Sequence, residues 1–156
     1  MTGTIEKRLA DLGVTLPAAA APAANYVPYM QSGNLLLTAG QLPLKDGKLA
    51  VSGLLGRDVD VAAGKEAAKY CAINILAQVK AALGSLERIG KLVKITVFVA
   101  SDANFVEQHL VANGASDFLA EVLGEKGKHA RSAVGVASLP MNASVEIEAI
   151  IEIEVA

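Results

Sequence analysis

A chain of 156 residues, 53% of them hydrophobic, has the length of one domain and enough apolar side chains for one sizeable core. Its 14 basic and 16 acidic residues leave a formal net charge of −2, scattered along the chain, which excludes the clustered positive footprint of a nucleic-acid binder. No uninterrupted apolar run is long enough to span a bilayer, and one cysteine builds neither an internal disulfide nor a thiolate metal site.

Ile5, Leu9 and Leu12 fall at helical spacing, and Gly13 ends that run. The opening MTGTIEKRLADLG carries charges and no apolar h-region, so no leader peptide is expected and the chain reads as cytoplasmic. Residues 15–25, rich in alanine and proline, read as an extended strap. Residues 1–25 are therefore expected to lie against a single domain formed by 26–156. YVPYMQSGNLLLTAG reads as two short strands about a Ser32-Gly33-Asn34 turn, followed by a loop holding Asp46-Gly47.

From Asp60 the period changes. Ala68, Cys71, Ala72, Ile75, Leu76, Val79 and Leu83 line one face of a long helix, and Gly84 stands at its C-terminal cap. KLVKITVFVAS then alternates, with Val93, Ile95, Val97 and Val99 on one face. Ala115, Phe118, Leu119 and Val122 carry a second helix, closed by Gly124. In SVEIEAIIEIEVA, residues Val145, Ile147, Ala149, Ile151, Ile153 and Val155 oppose a face holding Glu146, Glu148, Glu152 and Glu154. The element order predicts an α+β two-layer sandwich, a mixed sheet with two main helices on one face and a short N-terminal helix.

KHARSAVGVASLP places Arg131 at the head of a short apolar strand. Alternation sets Arg131, Ala133, Gly135 and Ala137 on one face and Ser132, Val134 and Val136 on the other, and the valines are expected on the core side. A guanidinium beside small residues can hold a planar carboxylate through two parallel hydrogen bonds, although a strand-end arginine is commonly a surface ion-pair partner. His109 and His129 read as surface histidines, Cys71 as core, and no metal set is singled out by spacing. No phosphate-cradling or dinucleotide-binding glycine pattern is present.

VPYMQSGNLLLTAGQLP (27–43), LVKITVFVAS (92–101) and HARSAVGVASLPMNASVEIEAI (129–150) together resemble the Rid, or YjgF, family of reactive intermediate deaminases. The resemblance implies a chorismate-mutase-like fold assembled as a homotrimer, with ligand clefts between neighbouring subunits and no metal or organic cofactor. It implies that Arg131 binds the carboxylate of a short 2-imino acid and that Glu146 positions the attacking water. Tyr29, Gly40 and Asn113 are carried over as cleft residues, Asn113 as a helix-start asparagine. Ala133 stands where the family often has cysteine, and Ser116 where it often has tyrosine. With the N-terminal extension these departures point to a long-chain subgroup.

Four functions follow for test: hydrolytic deamination of 2-imino or enamine acids, non-catalytic binding of 2-oxo acids or related metabolites, endoribonuclease activity, and a chorismate-mutase-type rearrangement. The missing basic footprint argues against the third, and the fourth rests on fold analogy alone.

Overall fold

The computed structural model describes residues 3–22 and 24–154, so Val155, expected at the end of the last strand, lies outside the described residues, as do Met1, Thr2 and Ala23 of the N-terminal segment. In chain order the elements are α1 (Thr4–Asp11), β1 (Tyr29–Ser32), β2 (Leu35–Thr38), β3 (Leu44–Lys45), β4 (Lys48–Leu49), α2 (Val61–Leu83), β5 (Ile89–Ala100), α3 (Gln108–Leu123), β6 (Ala130–Val136) and β7 (Val145–Ile153). The main sheet runs β1-β2-β7-β5-β6, antiparallel throughout except for the parallel β5–β6 pair. That parallel pair needs a crossover, and α3 is the crossover. The expected α+β sandwich has formed.

The long helix begins and ends where its chemistry dictates. The Asp60 carboxylate accepts the Ala63 N–H at 2.8 Å, satisfying one of the free donors of the first turn. Gly84 closes the helix at φ 81°, a left-handed conformation that side chains resist. The apolar stripe of α2 packs on β7 and α3. It joins Val111, Ala115, Leu119 and Val122 of α3 and Leu36, Ile95, Val97, Val99, Ile147 and Ile151 of the sheet in one continuous core. At the helix crossing, Gly114 lies directly on the Lys65 backbone, where an added Cβ would overlap the Lys65 carbonyl.

The N-terminal segment is docked on this body. Ile5 and Leu9 are buried, whereas Leu12 is exposed. Gly3 has no side chain to cap α1, and the Glu87 carboxylate does so from 82 residues away, accepting from Ile5 N–H at 2.9 Å and Glu6 N–H at 3.3 Å. Arg8 donates to the Val122 carbonyl at 3.2 Å, and the buried Gln78 amide donates to Ala20 O at 2.8 Å. Asp46 and Gly47 both adopt positive φ and close the β3–β4 hairpin. Among the described residues, no helix is long and apolar enough to cross a membrane.

Two face assignments are corrected. Leu92, not Val93, joins Ile95 on the covered face of β5, because the register against β7 shifts between Leu92 and Lys94. A β-bulge of this kind places one extra residue in the strand and breaks the strict alternation. In β6, Arg131, Ala133 and Gly135 stand beside Ile95, Val97 and Val99 and share their helix-covered face. The valines lie on the open face, where Val134 is 44% exposed. Parallel pairing with β5 decides the side, and that register outweighs the apolarity of the valines.

Candidate functional site

Arg131 enters the site from β6, and α3 passes over it. Its Nη1 donates to Asn113 Oδ1 at 2.9 Å and to Ser116 Oγ at 3.1 Å, and its Nη2 donates to the His109 carbonyl at 3.2 Å. Asn113 and Ser116 are three residues apart, so both project from one side of α3. Asn113 sits in the second turn, since α3 starts at Gln108, and not at the helix start as expected. Ala133 lies two residues beyond Arg131 on the same face. Among the described residues no carboxylate lies within 4.0 Å of the guanidinium. A guanidinium has five N–H donors. Three are engaged, leaving Nε–H and one Nη2–H for an anion.

Ser116 and His129 were not singled out as site residues by sequence, and His129 is no free surface histidine. Its Nε2 lies 2.9 Å from Ser116 Oγ and its Nδ1 2.6 Å from the Gly127 carbonyl. Only the replacement of an aromatic by Ser116 could have drawn attention to this pair beforehand.

A second group of expected residues gathers elsewhere. Glu146 stands on β7, paired with Phe98 of β5, and on the open face of the sheet. Gly40 follows β2 and abuts it so closely that a Cβ would collide with the Glu146 carboxylate. Burial, and then repulsion from Glu148, hold the Glu146 carboxyl above the ordinary glutamate value. That upward shift makes the carboxylate a better proton acceptor than an unburied glutamate. Tyr29 opens β1, pairs with Thr38 and packs against the core from the covered side. Cys71 donates weakly to the Val145 carbonyl at 3.6 Å, and burial pushes its thiol well up, so it is a packing residue.

One chain therefore brings Arg131, Asn113 and Ala133 together, and separately Gly40 and Glu146. Tyr29 and Arg131 occupy opposite edges of the sheet, four strand spacings or about 19 Å apart. Arg131 and Glu146 lie two strands apart on opposite faces. No short ligand reaches both groups within a single copy. Among the described residues, no three His, Cys, Asp or Glu side chains are grouped to hold a metal ion.

Glu146→Gln isolates the raised carboxyl. A folded-state pKa above the unfolded one contributes stability below about 4.5, the ordinary value, that is lost as pH rises through the folded value. The variant's melting temperature relative to the parent is thus expected to be higher at pH 7 than at pH 4. A difference independent of pH would show that Glu146 ionises as freely as in the unfolded chain.

The family described as "YjgF/chorismate mutase-like, putative endoribonuclease" matches residues 6–153. A crystal structure of Atu1372, an Agrobacterium tumefaciens protein of unknown function, is 64% identical, with 96% of this chain and 92% of that one covered and a TM-score of 0.91. Protein TCP17 of Trypanosoma cruzi is 49% identical over 97% of this chain and 96% of its own length. A 2-iminobutanoate/2-iminopropanoate deaminase of Dermatophagoides farinae is 29% identical over 90% of this chain and 95% of its own. With the fold, the ARS…LP…VEIE segment and the family match running together over nearly the whole length, this chain belongs to the YjgF/Rid family.

Proposed function

We propose that this protein hydrolyses short 2-imino acids to 2-oxo acids and ammonia. The observation that carries the reading is a guanidinium held by three neutral acceptors, with two donors unused and, among the described residues, no carboxylate within 4.0 Å. Those donors match a carboxylate in number and charge. The deaminase from Dermatophagoides farinae supports the choice of substrate class.

In this reading Arg131 of one copy binds the substrate carboxylate, with Asn113 and Ala133 shaping the same wall. Gly40, Tyr29 and Glu146 come from a neighbouring copy in a homotrimer. Glu146 accepts a proton from water as its oxygen bonds to the C=N carbon. Glu146 hands that proton to the nitrogen, giving the carbinolamine, which then collapses: the carboxylate takes the hydroxyl proton as C=O forms and passes it to the nitrogen, the C–N bond breaks, and ammonia departs. Orientation plus acid–base help of about 10²–10⁴-fold suffices for so labile a bond. Self-association is favoured by the open sheet face, where Met30, Leu35, Leu37 and Val134 are exposed beside Glu146 and Glu148. A cytoplasmic location is part of the same reading.

Subunit mixing tests both the activity and the shared site. Arg131→Ala and Glu146→Gln homo-oligomers are each expected to be inactive on imines generated by an amino-acid oxidase. Co-assembled at equal ratio, about one site in four receives an intact Arg131 and an intact Glu146, and that share of activity returns. No recovery would place the site within one chain. A parent protein that binds 2-oxo acids yet never accelerates imine loss would be a binding protein.

A further inference from the structure

Arg131 is tied to something that a simple anion clamp does not need. From the Gly127 carbonyl, through His129 and Ser116, to Arg131 Nη1 runs an unbroken series of contacts at 2.6, 2.9 and 3.1 Å. Its proton direction is fixed at both ends. A carbonyl only accepts, so Nδ1 of His129 carries hydrogen; a guanidinium only donates, so Ser116 Oγ accepts from Arg131. In the neutral ring Nε2 is then an acceptor, and the Ser116 hydroxyl donates to it. Hydrogen bonds aligned in one direction polarise and strengthen one another.

The far end is anchored in backbone. Gly127 is buried in the turn after α3, and a Cβ there would press on the Leu119 carbonyl and Ala120 Cα. The Gly127 carbonyl therefore has little freedom, and His129 inherits its orientation. The near end meets a guanidinium already held by Asn113 and the His109 carbonyl. Both Nη1 hydrogens are thereby consumed on the α3 side, which among the described residues leaves Nε–H and the second Nη2–H as the unused pair.

We infer that Ser116 and His129 are positioning residues: they lock the rotation of the Arg131 guanidinium so that its unused donors meet the ligand carboxylate. The inference rests on the proposed role of Arg131 and adds a dependence that neither composition nor motif contains. Neither residue need touch substrate. Their loss should weaken carboxylate binding while leaving the chemical step nearly intact.

The test uses pyruvate as the probe in calorimetry, alongside steady-state hydrolysis of an oxidase-generated imino acid. Ser116→Ala and His129→Leu are each expected to weaken pyruvate binding and raise KM about tenfold, with kcat within about twofold. The double variant should be no weaker than the weaker single one, because the two act as a unit. Ser116→Thr, which keeps the hydroxyl, should restore affinity to within about threefold. Should His129→Leu fail to fold, the Ser116→Ala and Ser116→Thr pair carries the test alone. Unchanged affinity in Ser116→Ala, with Arg131→Ala abolishing binding, overturns the positioning role and leaves the role of Arg131 standing. If Arg131→Ala also binds pyruvate normally, the underlying reading fails with it.

Discussion

Arg131→Ala is expected to lower kcat/KM for 2-imino acid hydrolysis by about a thousandfold and to remove measurable affinity for pyruvate. Two charge-assisted hydrogen bonds are lost at once, each contributing about 1.5–3 kcal/mol where water is excluded. Stability should change little. The side chain is only partly buried, and its acceptors, Asn113 Oδ1, Ser116 Oγ and the His109 carbonyl, can bind water in its place. Arg131→Lys keeps the charge and loses the planar fork, so it should recover only a small part of the activity. Circular dichroism and melting establish that the fold persists, and the coupled assay measures the loss. Turnover within tenfold of the parent would remove Arg131 from the mechanism.

The largest effect on stability is expected from Gly114→Val. Gly114 Cα rests on the Lys65 main chain, so the clash is with backbone and no side chain can swing aside. The two helices must separate or tilt, which loosens Val111, Ala115 and Leu119 in the fully buried core. Overpacking of this kind costs about 3 kcal/mol, and a valine is worse than an alanine because its χ1 is restricted. For a domain of this size the melting temperature should fall by about 10 °C. Asn113 is the preceding residue and holds Arg131, so carboxylate affinity should decline as well. An unshifted thermal transition would mean that α2 and α3 have more play than their contact indicates.

Much of this architecture is legible in the chain itself. The stripe from Ala68 to Leu83, with Asp60 and Gly84 at its ends, predicts α2, and the alternation from Val145 to Ile153 predicts β7. These signals are local, each carried by neighbours within one element. The face of β6 was not legible because it depends on a partner strand: only the pairing of Ile95 with Arg131 turns the arginine inward and Val134 outward. The bulge at Val93 likewise arises from mismatch with β7, not from any residue type that announces it. Arg131 is marked by its place at the head of a strand of small residues as well as by motif resemblance, whereas Glu146, Tyr29, Gly40 and Asn113 rest on resemblance alone. Ser116 and His129 escaped because they are 13 residues apart and meet only when the turn after α3 folds the chain back.

The capping of α1 by Glu87 has a bearing on how the chain matures during synthesis. Eight residues are too few to hold a helix in water unaided. Their start awaits a carboxylate 82 positions downstream, and their apolar side awaits α3. During synthesis this segment must therefore stay unstructured until Glu87 and α3 have followed it. Pulse-labelled amide exchange during refolding would register it among the last regions to gain protection.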